Sequence, residues 1–322
     1  EYGITEFGGF VQASKRLFND AIKITGSLRY DKNENFDGRT TPRISGVWSF
    51  LNGQNIRVSY QTGFRMPTTQ NQYIDLPTPT AVLLGGLLID EQHIRDKYNL
   101  DADPLLNLTD FTPYETSQTE FELEQNKSFE IGYRSLIGDQ LLIDTYYYNS
   151  VFTNFSLGAN LIQGGTGTVF QTTISSDQDV QTQGIVMGLS YALKSGFKLS
   201  GNYSWNELSN PEDIPEGFQT EFNTPEHKVN LSISNRKLTD KIGFNFAWRW
   251  QDAFLWESTF AVGEVDAYST LDLQISYALP NLKSRVKIGG SNVLNERYTQ
   301  AIGNPTVGAV WYASITFDEF FH

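Results

Sequence analysis

The sequence has no cysteine, three histidines and two methionines among 322 residues. Without cysteine there is no disulfide, no thiolate nucleophile and no cysteine-ligated zinc. His93, His227 and His322 are scattered, so they form neither a metal motif nor a legible base for any serine. No apolar run approaches the roughly 20 residues that a membrane-spanning helix needs. Positive charge is scarce as well. The 24 Lys and Arg against 37 Asp and Glu leave a net charge of -13, which argues against a nucleic-acid partner and suits a water-facing surface that attracts cations or basic partners. The chain opens at Glu1 without a signal peptide, which an exported protein would need. That absence leaves a processed chain or a fragment as the expectation, and the strand count below favours a fragment.

What the chain does have is aromatic residues, at 14%, and a strict alternation of character. In 55–65 the apolar set Ile56, Val58, Tyr60 and Phe64 interleaves with Arg57, Ser59, Gln61 and Arg65. Side chains of a strand point to opposite faces in turn, so one face is apolar and the other wet. The pattern returns at Ile22, Ile24, Leu28 and Tyr30, and at Ile44, Trp48 and Phe50. It returns again at Phe129, Ile131 and Tyr133, at Phe244, Phe246, Trp248 and Trp250, and at Leu271, Leu273, Ile275 and Tyr277. About thirteen such segments are present, each near the ten residues of a tilted strand that crosses a bilayer.

The connections alternate between two kinds. Short ones fall at Asn19-Asp20, Asn52-Gly53, Gly138-Asp139, Ser195-Gly196, Thr239-Asp240 and Pro280-Asn281, the residue types that tight hairpins favour. Long ones are expected near 31–40, 66–126, 153–181, 207–224, 252–268 and 293–307. Short turns on one rim and long loops on the other mark an outer-membrane barrel, with the turns periplasmic and the loops extracellular. The loop at 66–126 is far longer than an ordinary connection and is expected to be functional or disordered. Its stretch 80–88 is apolar, which suggests a lid, a partner surface or packing against neighbouring loops. Residues 90–98 are expected to form a short helix with Asp90 as its N-cap.

The same alternation would fit a soluble barrel or sandwich turned inside out. Size decides between them, because a closed barrel of about thirteen strands or more has a lumen too wide for side chains to fill. The face carrying Arg29, Arg43, Arg57, Arg65, Arg249, Arg285 and Lys287 cannot be a dry core, since unpaired buried charge is too costly. The apolar face therefore looks outward, and only lipid makes that tolerable. The fold class is an all-β antiparallel transmembrane barrel. An odd strand count conflicts with the even counts of bacterial single-chain barrels. Strands upstream of Glu1 are expected for that reason.

Several stretches resemble the C-terminal part of the barrel of TonB-dependent outer-membrane receptors. Residues 59–67, SYQTGFRMP, resemble that family's strand ending in a Gly-Phe-Arg-x-Pro step, and 126–134, NKSFEIGYR, its strand with a Glu-x-Gly core. Residues 184–191 resemble a glycine-opened strand, and 224–230, TPEHKVN, a proline-led one. The stretch GGSNVLNERY ending at Tyr298 resembles the penultimate strand and its exit, and 310–317 the closing strand. The style of the loops is similar to that of Bacteroidetes members, while the tail Phe320-Phe321-His322 departs from the usual aromatic end. The resemblance implies a 22-stranded barrel, of which residues 1–322 supply about thirteen strands. It also implies an N-terminal plug domain inside the barrel and a TonB-type inner-membrane motor acting through that plug. The function implied is energised uptake of a scarce solute, with no catalysis and no cofactor. A passive channel, or a surface-display barrel with a lipoprotein partner, are the alternatives.

Trp48, Trp205, Trp248 and Trp250 are expected as lipid-facing anchors. Arg29, Arg43, Arg57, Arg249 and Arg285 are expected to face the lumen or plug. Arg65, Tyr73, Tyr98, Phe111 and Tyr114 are the candidates for ligand contact. Asp101-x-Asp103 lacks the glycine turn and distal glutamate of a calcium loop. The run 164–167 lacks the lysine and helix of a phosphate loop, and Asn107-Leu108-Thr109 matches a glycosylation sequon only incidentally.

Overall fold

The computed structural model of the chain describes residues 3–108, 110–114, 121–176, 178–213, 219–258 and 261–317. Thr109 of the sequon and the chain end at His322 lie outside the described residues. No helix among those described is long and apolar enough to cross a membrane.

The chain opens with four strands, β1 (Glu6–Leu17), β2 (Ile22–Asn33), β3 (Phe36–Leu51) and β4 (Gln54–Arg65). It then leaves the sheet for helix α1 (Thr69–Tyr73), β5 (Asp75–Pro77), β6 (Val82–Leu84), helix α2 (Gln92–Tyr98) and β7 (Leu105–Asn107). It returns as β8 (Glu124–Ile137) and β9 (Leu141–Thr153), and departs again for the hairpin β10 (Ser156–Gln163) and β11 (Val169–Ser175). Next come β12 (Val180–Ala192), β13 (Phe197–Leu208), β14 (His227–Asn235) and β15 (Ile242–Gln251). A small hairpin, β16 (Phe254–Glu257) and β17 (Val262–Val265), precedes β18 (Tyr268–Leu279), β19 (Ser284–Ser291) and β20 (Val310–Phe317).

Thirteen of these strands form one sheet in the order β1-β2-β3-β4-β8-β9-β12-β13-β14-β15-β18-β19-β20. Each strand pairs antiparallel with the next one that returns to the sheet, which is the meander that alternating short and long connections require. The short turns fall where the sequence places them. Gly53, Gly138 and Gly196 take φ values of 76°, 58° and 82°, the left-handed region open to glycine. In the turn after β14, side chains do the work instead: Asn235 Oδ1 accepts from Lys237 N at 2.8 Å, and Thr239 Oγ1 from Ile242 N at 3.0 Å.

The register keeps one character per face across most of the sheet, with exceptions such as Phe10 opposite Arg29 and Val47 opposite Arg57. Val58 lies opposite Ile131, Ile131 opposite Tyr147, and Tyr147 opposite Ile185. One step along, Arg57 lies opposite Gly132, and Gly132 opposite Tyr146. The apolar face is open: Ile275 is 62% and Ile288 61% accessible, with no protein layer over them. By contrast, Leu84, Ile94, Leu161 and Phe170 are at most 1% accessible, and all four lie in the long connections. The dry core therefore sits in the loops and not behind the sheet.

That core belongs to a second, five-stranded sheet of order β5-β6-β11-β10-β7. It gathers the 66–123 connection and the β10–β11 hairpin into one cap at the loop rim. The apolar stretch 80–88 supplies Val82, Leu84 and Leu88 to its interior, so the loop packs against its neighbour. Two expectations need correction. Residues 31–40 are no loop: β2 and β3 stay paired until Asn33 faces Phe36, leaving Glu34 and Asn35 as the turn. The extra strand length braces the cap through Asn35 Nδ2 to Gln72 Oε1 at 2.8 Å and through edge-on contact of Phe36 with Phe121. The helix at 92–98 is capped by the backbone of Glu91, not by Asp90, and ends on Asn99 in a left-handed conformation.

Candidate ligand site under the cap

The arginines of the polar face divide into engaged and free. Arg57 reaches Glu130 at 3.3 Å and Asp144 at 2.9 Å, crossing two strands. Arg249 pairs with Asp272 at 2.6 Å, and Arg29 with Asp31 at 2.6 Å on its own strand. Arg43 stands between Ser27 and Gln61 in the ladders. Arg285 donates to Ser276 Oγ at 3.1 Å, near the short-turn end. The tryptophans fall on the opposite face: Trp48 opposite Ile56, Trp205 opposite Ile185, Trp248 opposite Leu231 and Trp250 opposite Val229.

Several hollows open among the described residues, one of about 460 Å³ along the polar face at Asp144, Asn202 and Arg249, and three more differ in the face or rim they serve. One of about 560 Å³, lined by Leu189, Leu199, Leu231 and Phe246, opens on the apolar face where Gly201 leaves a gap. Its lining is almost wholly apolar, which offers little to orient a polar solute. A second, of about 610 Å³, lies at the short-turn end of the polar face beside Arg236, Lys237, Arg285 and Lys287. The third, of about 400 Å³, lies at the loop rim between the end of β4, α1 and the underside of the cap sheet. It mixes amides and hydroxyls with aliphatic side chains, the composition of a site that orients a small molecule.

Arg65, the last residue of β4, enters this third cavity and pairs with the buried Glu124 at 2.6 Å. From the β13–β14 connection comes Glu221, and Gln70, Asn71, Gln171 and Thr172 are among the other polar groups of the lining, with Thr68, Ser156 and Thr173. Crowding beneath the cap raises the Glu221 carboxyl above its ordinary value, although the residue as a whole stays exposed. Arg65 pulls it down, while Glu257 and Glu124 push it further up.

Of the aromatic candidates, Tyr73, Tyr98 and Tyr114 pack against the cap core. Tyr98 stands edge-on to Phe170 and donates to Asp75 Oδ1 at 2.6 Å. Burial alone would raise Asp75, but hydrogen bonds from Lys97 and Tyr98 outweigh it and hold the carboxyl below its usual range. Phe111 is 62% accessible, with φ at 57°, outside the cavity lining. Asp101 pairs with Arg95, its Oδ1 accepting from Nε at 2.8 Å. Asp103 holds the glycine run, accepting from Gly165 N at 2.8 Å and Thr166 N at 3.1 Å. Of the five residues expected to contact ligand, Arg65 lines this cavity, beside Glu221, Gln70, Asn71, Gln171 and Thr172, which the sequence reading did not single out. None of these last five lies on a period-two strand of the large sheet, and only the surplus of acid in the loops hinted at Glu221.

One apolar face, one charged face and a folded cap over a polar cavity at one rim are set by a single antiparallel meander. The family model described as TonB dependent receptor-like, beta-barrel matches residues 1–295, and the chain belongs to that family. A search of curated proteins gives no match. Among solved structures, the siderophore receptor PirA from Acinetobacter baumannii superposes with a TM-score of 0.66 at 10% identity, over 97% of this chain and 45% of that one. A mutant of the ferric enterobactin receptor PfeA from Pseudomonas aeruginosa, in complex with enterobactin, gives 0.67 at 12%, over 97% and 45%. The FrpB iron transporter from Neisseria meningitidis gives 0.64 at 12%, over 97% and 45%. At such identities the likeness concerns the fold. The chain spans a little under half the length of these structures.

Proposed function

We propose that this chain is the wall and loop region of an outer-membrane receptor for energised uptake of a scarce solute. The solute enters the cavity under the cap, bound by loop and lumen groups together. It then passes along the polar face when a plug domain inside the barrel is pulled by a TonB-type motor. The outer membrane has no nucleotide supply, so the work has to arrive mechanically. The observation that carries this reading is the placement of the dry core. Long connections that fold a sheet of their own over a polar hollow at the rim suit capture of a ligand. A sieve needs no such cap.

Native mass spectrometry of the full-length receptor with fractionated growth medium tests the reading. One retained compound is the expected outcome. Failure of every fraction to leave a bound species would count for a structural, surface-display barrel instead.

A further inference from the structure

We infer that the cavity under the cap takes a solute bearing a protonated amine or guanidinium, with Glu221 as its counter-carboxylate. This rests on the receptor reading and narrows the class of cargo.

Glu221 shares its surroundings with two further carboxylates, Glu124 and Glu257, whose charges raise it, and with one guanidinium, Arg65, which lowers it. Two of the three are satisfied. Glu124 Oε2 accepts from Arg65 Nη2 at 2.6 Å and from Ser156 N at 3.3 Å. Glu257 Oε2 accepts from Thr220 N at 2.9 Å, Thr220 Oγ1 at 2.9 Å and Glu221 N at 3.1 Å. The Glu221 carboxylate lines the cavity and has no hydrogen-bond or ion-pair partner among the described residues. The only cation of the cluster is already engaged, so the cluster carries surplus negative charge toward the hollow.

The backbone holds Glu221 in place at a cost. Its φ is 48° and that of Asn223 is 42°, a region that residues with a Cβ avoid. Asn223 clamps the turn: its Nδ2 donates to Glu257 O at 2.8 Å and its Oδ1 accepts from Glu257 N at 2.7 Å. A second group waits in the same wall. Thr172 is only 4% accessible, lines the cavity, and its Oγ1 has no hydrogen-bond partner among the described residues. A buried hydroxyl left unpaired is disfavoured unless something else completes it.

The field around the site has the same sign. The six connections at the loop rim of the large sheet, at 34–35, 66–123, 154–179, 209–226, 252–267 and 292–309, hold 23 acidic residues and three basic ones. The six short connections at the other rim hold three acidic and five basic residues. Negative charge therefore collects at the rim where solute arrives, which concentrates cations there and repels anions. The volume of about 400 Å³ suits a molecule of short-peptide size. Gln70 and Asn71 offer amides to its polar groups, and Leu83 and Leu157 an aliphatic side.

The test uses the full-length receptor in lipid nanodiscs and three acetylated, amidated tripeptides that differ only in a central Lys, Ala or Glu. The Lys peptide should bind about tenfold or more tighter than the Ala peptide, as one charge-assisted hydrogen bond allows. Glu221→Gln should erase that advantage, so that the Lys and Ala peptides bind alike. Glu221→Asp should keep part of it, and Glu296→Gln, outside the cavity lining, all of it. Unchanged melting of each variant excludes misfolding as the cause. Equal binding of Lys and Ala peptides, preference for the Glu peptide, no binding in the series, or a preference that survives Glu221→Gln would each overturn the inference. The receptor reading would then still stand or fall on its own retention experiment.

Discussion

Gly132 has no side chain, and Arg57 uses the gap. The guanidinium lies across this glycine, opposite it in the ladder, and so reaches Glu130 and Asp144. A Cβ at Gly132 would come within 2.7 Å of Arg57 Nε and 3.1 Å of its Cγ. The same device recurs at Gly184, where Tyr148 lies over the glycine and donates to Asn206 Oδ1 at 2.8 Å. Tyr312 crosses Gly289 to reach Gln274 Oε1 at 3.0 Å. The Glu-x-Gly pattern and the glycine-opened strand visible in the sequence thus have a steric cause. Strand propensity alone says that Gly132→Val should stabilise β8. The structure says the opposite: it should cost about 1–2 kcal/mol, because the Arg57 side chain is pushed off the strand and both its half-exposed ion pairs are lost. Urea unfolding in vesicles checks this, and in an Arg57→Ala background the same substitution should be close to neutral. The period-two faces were legible because a strand residue's face depends only on its neighbours in sequence. Glu221 was not, because its surroundings come from β4, β8 and β16, far apart in the chain.

At the scale of elements, the cap stands or falls by a core of its own. Phe170→Ala removes a ring that is 0% accessible and touches Tyr98 edge-on. The expected loss is about 3–5 kcal/mol, confined to the cap. Hydrogen exchange should show lost protection in β6, β10 and β11 with β12 to β15 unchanged. Loss across the large sheet would mean that the two sheets fold as one. The cap also has an acid-sensitive tie, in which Lys97 Nζ and Tyr98 OH each donate to Asp75 at 2.6 Å. Asp75 titrates below its unfolded value, near about 3.9, so the tie contributes fully above that pH and is lost as pH falls through the lower folded value. Lys97, held up first by its hydrogen bond to Asp75, contributes below about pH 10.4 and loses that contribution only above it. Protection factors of residues 75–98 should therefore be flat from about pH 5 to 9 and fall below about pH 4. Asp75→Asn should abolish the acid step. Existence of the helix at 92–98 was readable from sequence, but its cap was off by one residue. The β2–β3 extension was misread because Asp31, Asn33, Glu34, Asn35 and Arg39 look like a loop. Beyond the bilayer, a hairpin is free to be polar on both faces.

At the scale of the molecule, the sheet separates two environments that the alternation of side chains distinguishes, and its thirteen strands can be counted from that alternation alone. The cap sheet cannot, because its strands are three to eight residues long and pair across the chain, β6 lying parallel to β11. The central claim is that Val58, Phe246 and Leu273 meet hydrocarbon while Ser59, Asn245 and Gln274 meet water. Residues 1–322 hold no cysteine, so an introduced thiol is the single one in this stretch, and the receptor without it serves as the labelling blank. Each of the six is replaced by cysteine, spin-labelled in the membrane-inserted receptor, and relaxed with oxygen, which partitions into lipid, or with a water-soluble nickel chelate. Oxygen should dominate at the first three positions and the chelate at the last three. The reverse order, or no difference between the sets, would contradict the account.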